Sequence, residues 1–107
     1  MPEPMDRRAA ERMPVSADTS CVFVSPVVED FGPAKIRNVS MDGIGLVLSR
    51  RLEPGTLMAV SLSNPAKNYS RTMLVRVVHV TPEHGVFLVG GTFNTPLTYD
   101  ELTTLVM

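Results

Sequence analysis

From Ser20 onward the chain is divided into short runs rich in β-branched residues, each bounded by glycine, proline, asparagine or aspartate. This segmentation constrains the fold more than any other feature of the chain. Candidate strands cover residues 20–27, 34–40, 43–49, 57–62, 71–80 and 86–93. The breaks contain Asp30-Phe31-Gly32-Pro33, Met41-Asp42-Gly43, Glu53-Pro54-Gly55, Ser63-Asn64-Pro65 and Pro82-Glu83-His84-Gly85. Apolar residues alternate at Ile44, Leu46 and Leu48, and again at Met73, Val75 and Val77, which marks the face each run turns to a core. By the same count His79 falls on the Met73-Val75-Val77 face. Short strands at near-regular spacing predict an antiparallel barrel or sandwich, and a barrel would also remove exposed strand edges.

The period changes after Pro96. Thr98 is placed to cap a helix, with Glu101 three residues later completing a capping box. Leu102, Leu105 and Val106 then recur at helical spacing and are expected to seal one end of the β-structure. Residues 1–19 contain Pro2, Pro4 and Pro14, several charges and no sustained apolar period. They read as an arm with little to bury, flexible in the absence of a partner. Ala9 and Ala10 favour a helical turn across Arg7 to Arg12, which would put Arg8 and Arg12 on one face. An extended arm would let the two arginines grip different parts of a ligand.

A length of 107 residues fits one domain with a modest core. With four Phe, two Tyr and no Trp, that core must rely on Val, Leu, Ile and Met. A net charge of −1 argues against a general DNA or RNA binder, which needs a broad basic surface. The chain's ten basic residues are eight Arg and two Lys, a bias toward forked, planar recognition. The single cysteine, Cys21, permits neither an intrachain disulfide nor a thiolate metal cluster, and its apolar setting in Cys21-Val22-Phe23-Val24 fits a buried hydrophobe. The N-terminus has no apolar signal-peptide region and no stretch is long enough to span a bilayer, so a cytoplasmic protein without membrane insertion is expected.

Two polar segments carry the functional signal. Arg7-Arg8-Ala9-Ala10-Glu11-Arg12 lies in the arm, and Asn38-Val39-Ser40-Met41-Asp42-Gly43 lies where one candidate strand ends and the next begins. Arginine forks onto a guanine edge or a phosphate and stacks on base faces. Asn38 and Ser40 would share one face of an extended segment, with Val39 on the other. Gly43 removes the side chain that would keep a ligand from the backbone. These residue types suit a guanine nucleotide. Asn, Asp and Gly are also turn formers, and both readings hold if Asp42-Gly43 turns the chain beside Asn38 and Ser40.

Arg8-x-x-x-Arg12 followed by Asn38-x-Ser40-x-x-Gly43 resembles the paired signature of PilZ domains, bacterial receptors for cyclic di-GMP. The resemblance continues through Gly43-Ile44-Gly45-Leu46, Leu52-Glu53-Pro54-Gly55, Val89-Gly90-Gly91-Thr92-Phe93 and the segment from Pro96-Leu97 to Leu105. It implies an all-β fold: a six-stranded antiparallel barrel over residues 20–107 with a short C-terminal helix, preceded by a flexible arm over residues 1–19 that carries the arginines. It further implies a non-catalytic cyclic di-GMP receptor or adaptor. Arg8 and Arg12 would hold phosphate and guanine, Asn38 and Ser40 would contact guanine or phosphate, and Gly43 would admit the ligand. Arg7 is a further contact or a spectator. Relatives often carry Asp at the Asn38 position; the amide keeps an acceptor but loses charge assistance.

No cofactor, metal or catalytic residue is expected. His79 and His84 lack the surrounding ligands of a metal or acid–base site, and no serine sits in a nucleophile elbow. Signalling would pass from an ordered arm to an unidentified downstream protein or to a homo-oligomer. The alternative is a PilZ-like interaction module that binds no nucleotide.

Overall fold

The computed structural model describes residues 12–25 and 33–107. Its strands are β1 (Ser20–Ser25), β2 (Pro33–Val39), β3 (Gly43–Leu48), β4 (Leu57–Asn64), β5 (Tyr69–Glu83) and β6 (Val86–Phe93), followed by helix α1 (Tyr99–Val106). All neighbours are antiparallel and the sheet closes in the order β1-β2-β3-β6-β5-β4. The expected all-β barrel with a C-terminal helix is therefore the observed architecture. Inward positions of every strand supply a core of mostly aliphatic side chains, with Ile44, Leu46, Val60, Leu62 and Val75 fully shielded from solvent.

Two strands are longer than the sequence pattern predicts. Ser63 and Asn64 stay in the ladder opposite Ser70 and Tyr69, and a short 3-10 turn over Pro65–Lys67 makes the reversal with Asn68 in the left-handed region. The β5–β6 hairpin likewise continues to Glu83↔Val86. His84 and Gly85, at φ 48° and 85°, form a two-residue turn whose twist matches the strands. Pro82 is tolerated because β4 pairing has ended at Arg76, so β6 is its only strand neighbour and the missing N–H breaks no second ladder.

Helix α1 forms as its first turn predicts. Glu101 N–H donates to Thr98 Oγ1 at 3.1 Å, and Thr98 N–H donates back to Glu101 Oε1 at 2.9 Å. Leu102 and Leu105 are buried against the barrel end, with Val106 packed at the edge of the core. Glu101 also receives the Tyr69 hydroxyl at 3.1 Å and Arg71 Nη1 at 2.6 Å, which ties the helix start to β5. Burial alone would raise the Glu101 pKa, but the Thr98 N–H, Arg71 and Tyr69 together hold it below the usual carboxylate range.

Residues 12–19, which the sequence assigns to the arm, run along the barrel. Among the described residues β1 pairs with β2 at Ala34 and Pro33, and near Val39 the edge of β2 is taken by Met13 through two reciprocal 2.8 Å backbone bonds. Further on, Ser16 N–H donates to the Leu105 carbonyl at 3.0 Å and Thr19 Oγ1 donates to the same oxygen at 2.7 Å. Asn64, 1% exposed, directs its amide Nδ2 to Ser16, Thr19 and the Thr104 carbonyl. The last carbonyls of α1 thus find their donors in this segment and in β4.

Cys21 lies fully inside the barrel, where burial pushes its thiol up to about 12 from an ordinary 9.0. Below pH 9 the native protein should therefore react with thiol reagents only as fast as it unfolds, and prompt labelling would show the thiol to be accessible. Between pH 9 and 12 the unfolded chain releases a proton that the folded chain retains, so stability should fall through that window. Tyr69, raised to about 12 by burial and by its bond to Glu101, acts with the same sign. Denaturant titrations of the parent and of Cys21→Ala at pH 8 and pH 10.5 should show a smaller loss in the variant.

Candidate functional site

The outer face of β3 and β6 has a strip without side chains. Gly45 pairs with Gly90, and the row extends across the sheet as Asn38 (β2), Gly45 (β3), Gly90 (β6) and His79 (β5). Gly43 lies one outward position along β3 and is packed so closely that an added Cβ would collide with the Gly91 carbonyl. At Gly45 a Cβ would sit 2.6 Å from Asn38 Oδ1, and at Gly90 it would run into the His79 ring. The glycines thus serve packing as well as access: neighbouring polar side chains fold down onto a bare backbone floor.

Arg12 is brought to this floor by the Met13–Val39 bridge immediately after it. Its Nη1 donates to Asn38 Oδ1 at 3.1 Å, and its guanidinium lies over the positions that side chains at Gly43 and Gly45 would fill. Partial burial of the guanidinium and repulsion from Arg37 both lower the Arg12 pKa. The floor belongs to an open cleft of about 200 Å³ whose walls include Arg12, Arg37, Asn38, His79 and Thr81. Among the described residues no carboxylate lines it. A cleft with two guanidinium groups and no acid among its described residues can accept an anion, and an anion would relieve the repulsion between them.

Of the residues singled out in the sequence, Arg12, Asn38 and Gly43 come together here. Arg7 and Arg8 lie outside the described residues. Ser40 lies at the adjacent turn but is only 1% exposed. Its Oγ accepts the Gly43 and Asp42 N–H groups at 3.1 and 3.3 Å, while its own N–H bonds the Gly43 carbonyl at 2.9 Å. Val39 is in the core as expected, and Ser40 holds the turn that starts β3. That turn is in turn fixed by Phe93 N–H to Asp42 O and Leu97 N–H to Met41 O, both at 2.8 Å.

Arg37 and His79 are among the cleft residues that were not singled out as binding residues from sequence. A register shift between Ile36 and Asn38 puts consecutive residues Arg37 and Asn38 outside while Ile36 and Val39 turn inward. A second shift between Val77 and His79 does the same for Val78 and His79. The expectation that His79 shares the inward face of Val75 and Val77 is therefore corrected: the extra residue reverses its parity and the imidazole is exposed over Gly90. Strict alternation could not reveal either residue. The only signal was the glycine pair opposite them, which leaves room for something to lie across it.

The barrel carries on its outer sheet an open cleft with a glycine floor and two arginines in its walls. The chain belongs to the PilZ domain family, whose pattern matches residues 6–107. Comparison with curated proteins and with solved structures returned no match. Among the described residues, no helix is long and apolar enough to cross a membrane.

The glycines make separable predictions. Gly43→Ala meets a backbone carbonyl that cannot swing away, so it should destabilise the fold by about 1–3 kcal/mol, as overpacking does. Gly45→Ala meets the movable Asn38 amide and Arg12 head, so the fold should be nearly unaffected while the Arg12–Asn38 contact is displaced. Thermal unfolding of the two variants, with Arg12 side-chain NMR for the second, would check both outcomes.

Proposed function

We propose that this domain is a non-catalytic cytoplasmic receptor for cyclic di-GMP. The observation that carries the reading is Arg12 held by Asn38 above the Gly43–Gly45 floor, beside Arg37 and with no described carboxylate in the cleft. Membership of the PilZ family supports it, since the Arg8-x-x-x-Arg12 and Asn38-x-Ser40-x-x-Gly43 pair has the pattern by which that family is associated with this ligand. In this reading Arg12 and Arg8 take phosphate and guanine, Arg7 adds a further contact, and Asn38 presents its amide to a guanine edge. Ser40 acts through the turn it holds. Gly43 and Gly45 let the ligand approach the sheet.

Signal transmission is proposed to start at the N-terminal segment. Ligand contacts fix the stretch carrying Arg8 and Arg12 against the barrel, changing the surface offered to a downstream protein or to a second copy of the chain. Hydrogen exchange over residues 7–12 should show added protection with cyclic di-GMP. Equal, high protection in both states would mean that the site is pre-formed and that binding orders no segment.

Calorimetric titration with cyclic di-GMP, with GTP and cyclic di-AMP as controls, tests the reading itself. Arg12→Ala should weaken binding roughly ten- to a hundredfold, the range for a charged contact of about 1.5–3 kcal/mol, with thermal unfolding of the free protein little changed. Asn38→Ala should narrow the preference over cyclic di-AMP, whereas Asn38→Asp should keep or tighten binding through a charge-assisted bond. A parent protein that binds none of the three nucleotides would favour an interaction module without a nucleotide ligand.

A further inference from the structure

The cleft has a second wall that neither signature segment supplies. On the side away from Asn38, the His79 ring lies over Gly90, so close that a Cβ there would meet three of its ring atoms, Cε1, Nδ1 and Nε2. The residue is nonetheless exposed and lines the cleft, so the imidazole is accessible from it. Thr81 and Leu88 form the next cross-strand pair outward, so the shelf beside the ring is a small hydroxyl and an aliphatic side chain. Arg37, at the β2 bulge, faces the same cleft.

Both walls depend on irregularities in otherwise regular strands. Without the bulge in β5, His79 would point inward with Val75 and Val77, and without the bulge in β2 either Arg37 or Asn38 would leave the outer face. Two bulges on opposite sides of one glycine pair thus place a cation and an aromatic ring around a bare floor. A flat, π-rich ligand carrying negative charge matches that arrangement: the ring offers a stacking face and the guanidinium a charge-assisted fork.

We propose that His79 and Arg37 form a second half of the ligand site, in which a purine base stacks on the His79 imidazole while Arg37 contacts a phosphate. The inference rests on the cyclic di-GMP reading above and extends it to two residues outside the Arg-x-x-x-Arg and Asn-x-Ser-x-x-Gly segments. In this arrangement His79 is a specificity residue for a flat base and Arg37 a positioning cation. The ligand bridges from Arg12 to His79 across Gly45 and Gly90.

The test is a cyclic di-GMP titration of the parent, His79→Ala, His79→Phe, His79→Gln, Arg37→Gln and the control His84→Ala, whose side chain lies in the hairpin turn. His79→Ala should weaken binding about five- to thirtyfold, the loss of one stacked base, and His79→Phe should restore it to within about threefold. His79→Gln should behave like Ala, and Arg37→Gln should weaken binding about tenfold or more. On the parent, the ring protons of His79 should move upfield on binding while those of His84 stay in place. A parent that binds while His79→Ala and Arg37→Gln bind equally well overturns this inference and leaves the receptor reading standing. Rescue by Gln rather than Phe overturns the stacking role. A parent that does not bind overturns both.

Discussion

The glycine strip on β3 and β6, onto which neighbouring side chains and the Gly91 carbonyl pack, is the constraint on which the rest of the structure depends. Gly43 lies against the Gly91 carbonyl, and Gly45 pairs directly with Gly90. On the inner side, Gly91 leaves the space that Val75 occupies; a Cβ there would lie 2.5 Å from Val75 Cγ1. The same strip therefore tightens the core and clears the outer surface. In most sheets a bare patch on the solvent face would weaken the strands, because no cross-strand side chains pack over it. Here Arg12, Asn38 and His79 fold over it instead, so polar side chains from the neighbouring segments cover the patch.

That economy links site and stability at a second level. The segment that delivers Arg12 continues through Met13 on the β2 edge to Ser16 and Thr19, whose donors both satisfy the Leu105 carbonyl at the end of α1. Asn64, buried in β4, joins the same cluster. On the other side, the Ser40–Gly43 turn is bonded to residues just after β6, and Leu97 leads into the helix cap. Both ends of α1 are thus connected by hydrogen bonds to elements that carry site residues. A displacement of the Arg12 segment has a physical route to the helix, through contacts of defined geometry rather than through general flexibility.

Charge in the site follows from the packing. Arg12 is partly desolvated by the floor and repelled by Arg37, and the acceptor it has within the cleft is a neutral amide. Contrast Arg71, which meets the Glu101 carboxylate at 2.6 Å and serves the fold. The two arginines illustrate a general distinction: a cation paired with a carboxylate is structural, and one held by an amide beside another cation favours an incoming anion.

Strand and helix identity were legible in the sequence because they depend on short-range physics. Alternation at Ile44-Leu46-Leu48 and Met73-Val75-Val77, the Thr98–Glu101 capping box and the turn residues act over a few positions, and each element formed where those signals lay. Arg12, Asn38 and Gly43 were legible as a group through their motif spacing. Strand ends were less so: β4 and β5 extend beyond their β-branched stretches because pairing with a neighbour, not composition, sustains Ser63-Asn64 and Thr81–Glu83. The second wall of the cleft was decided only in three dimensions. One extra residue in β2 and one in β5 reverse the parity of every position beyond them, and a bulge is a property of two strands in register, which neither strand encodes alone. The sequence by itself therefore determined the barrel, its helix and the Arg12–Asn38–Gly43 side of the site, while tertiary pairing alone brought Arg37 and His79 to face them.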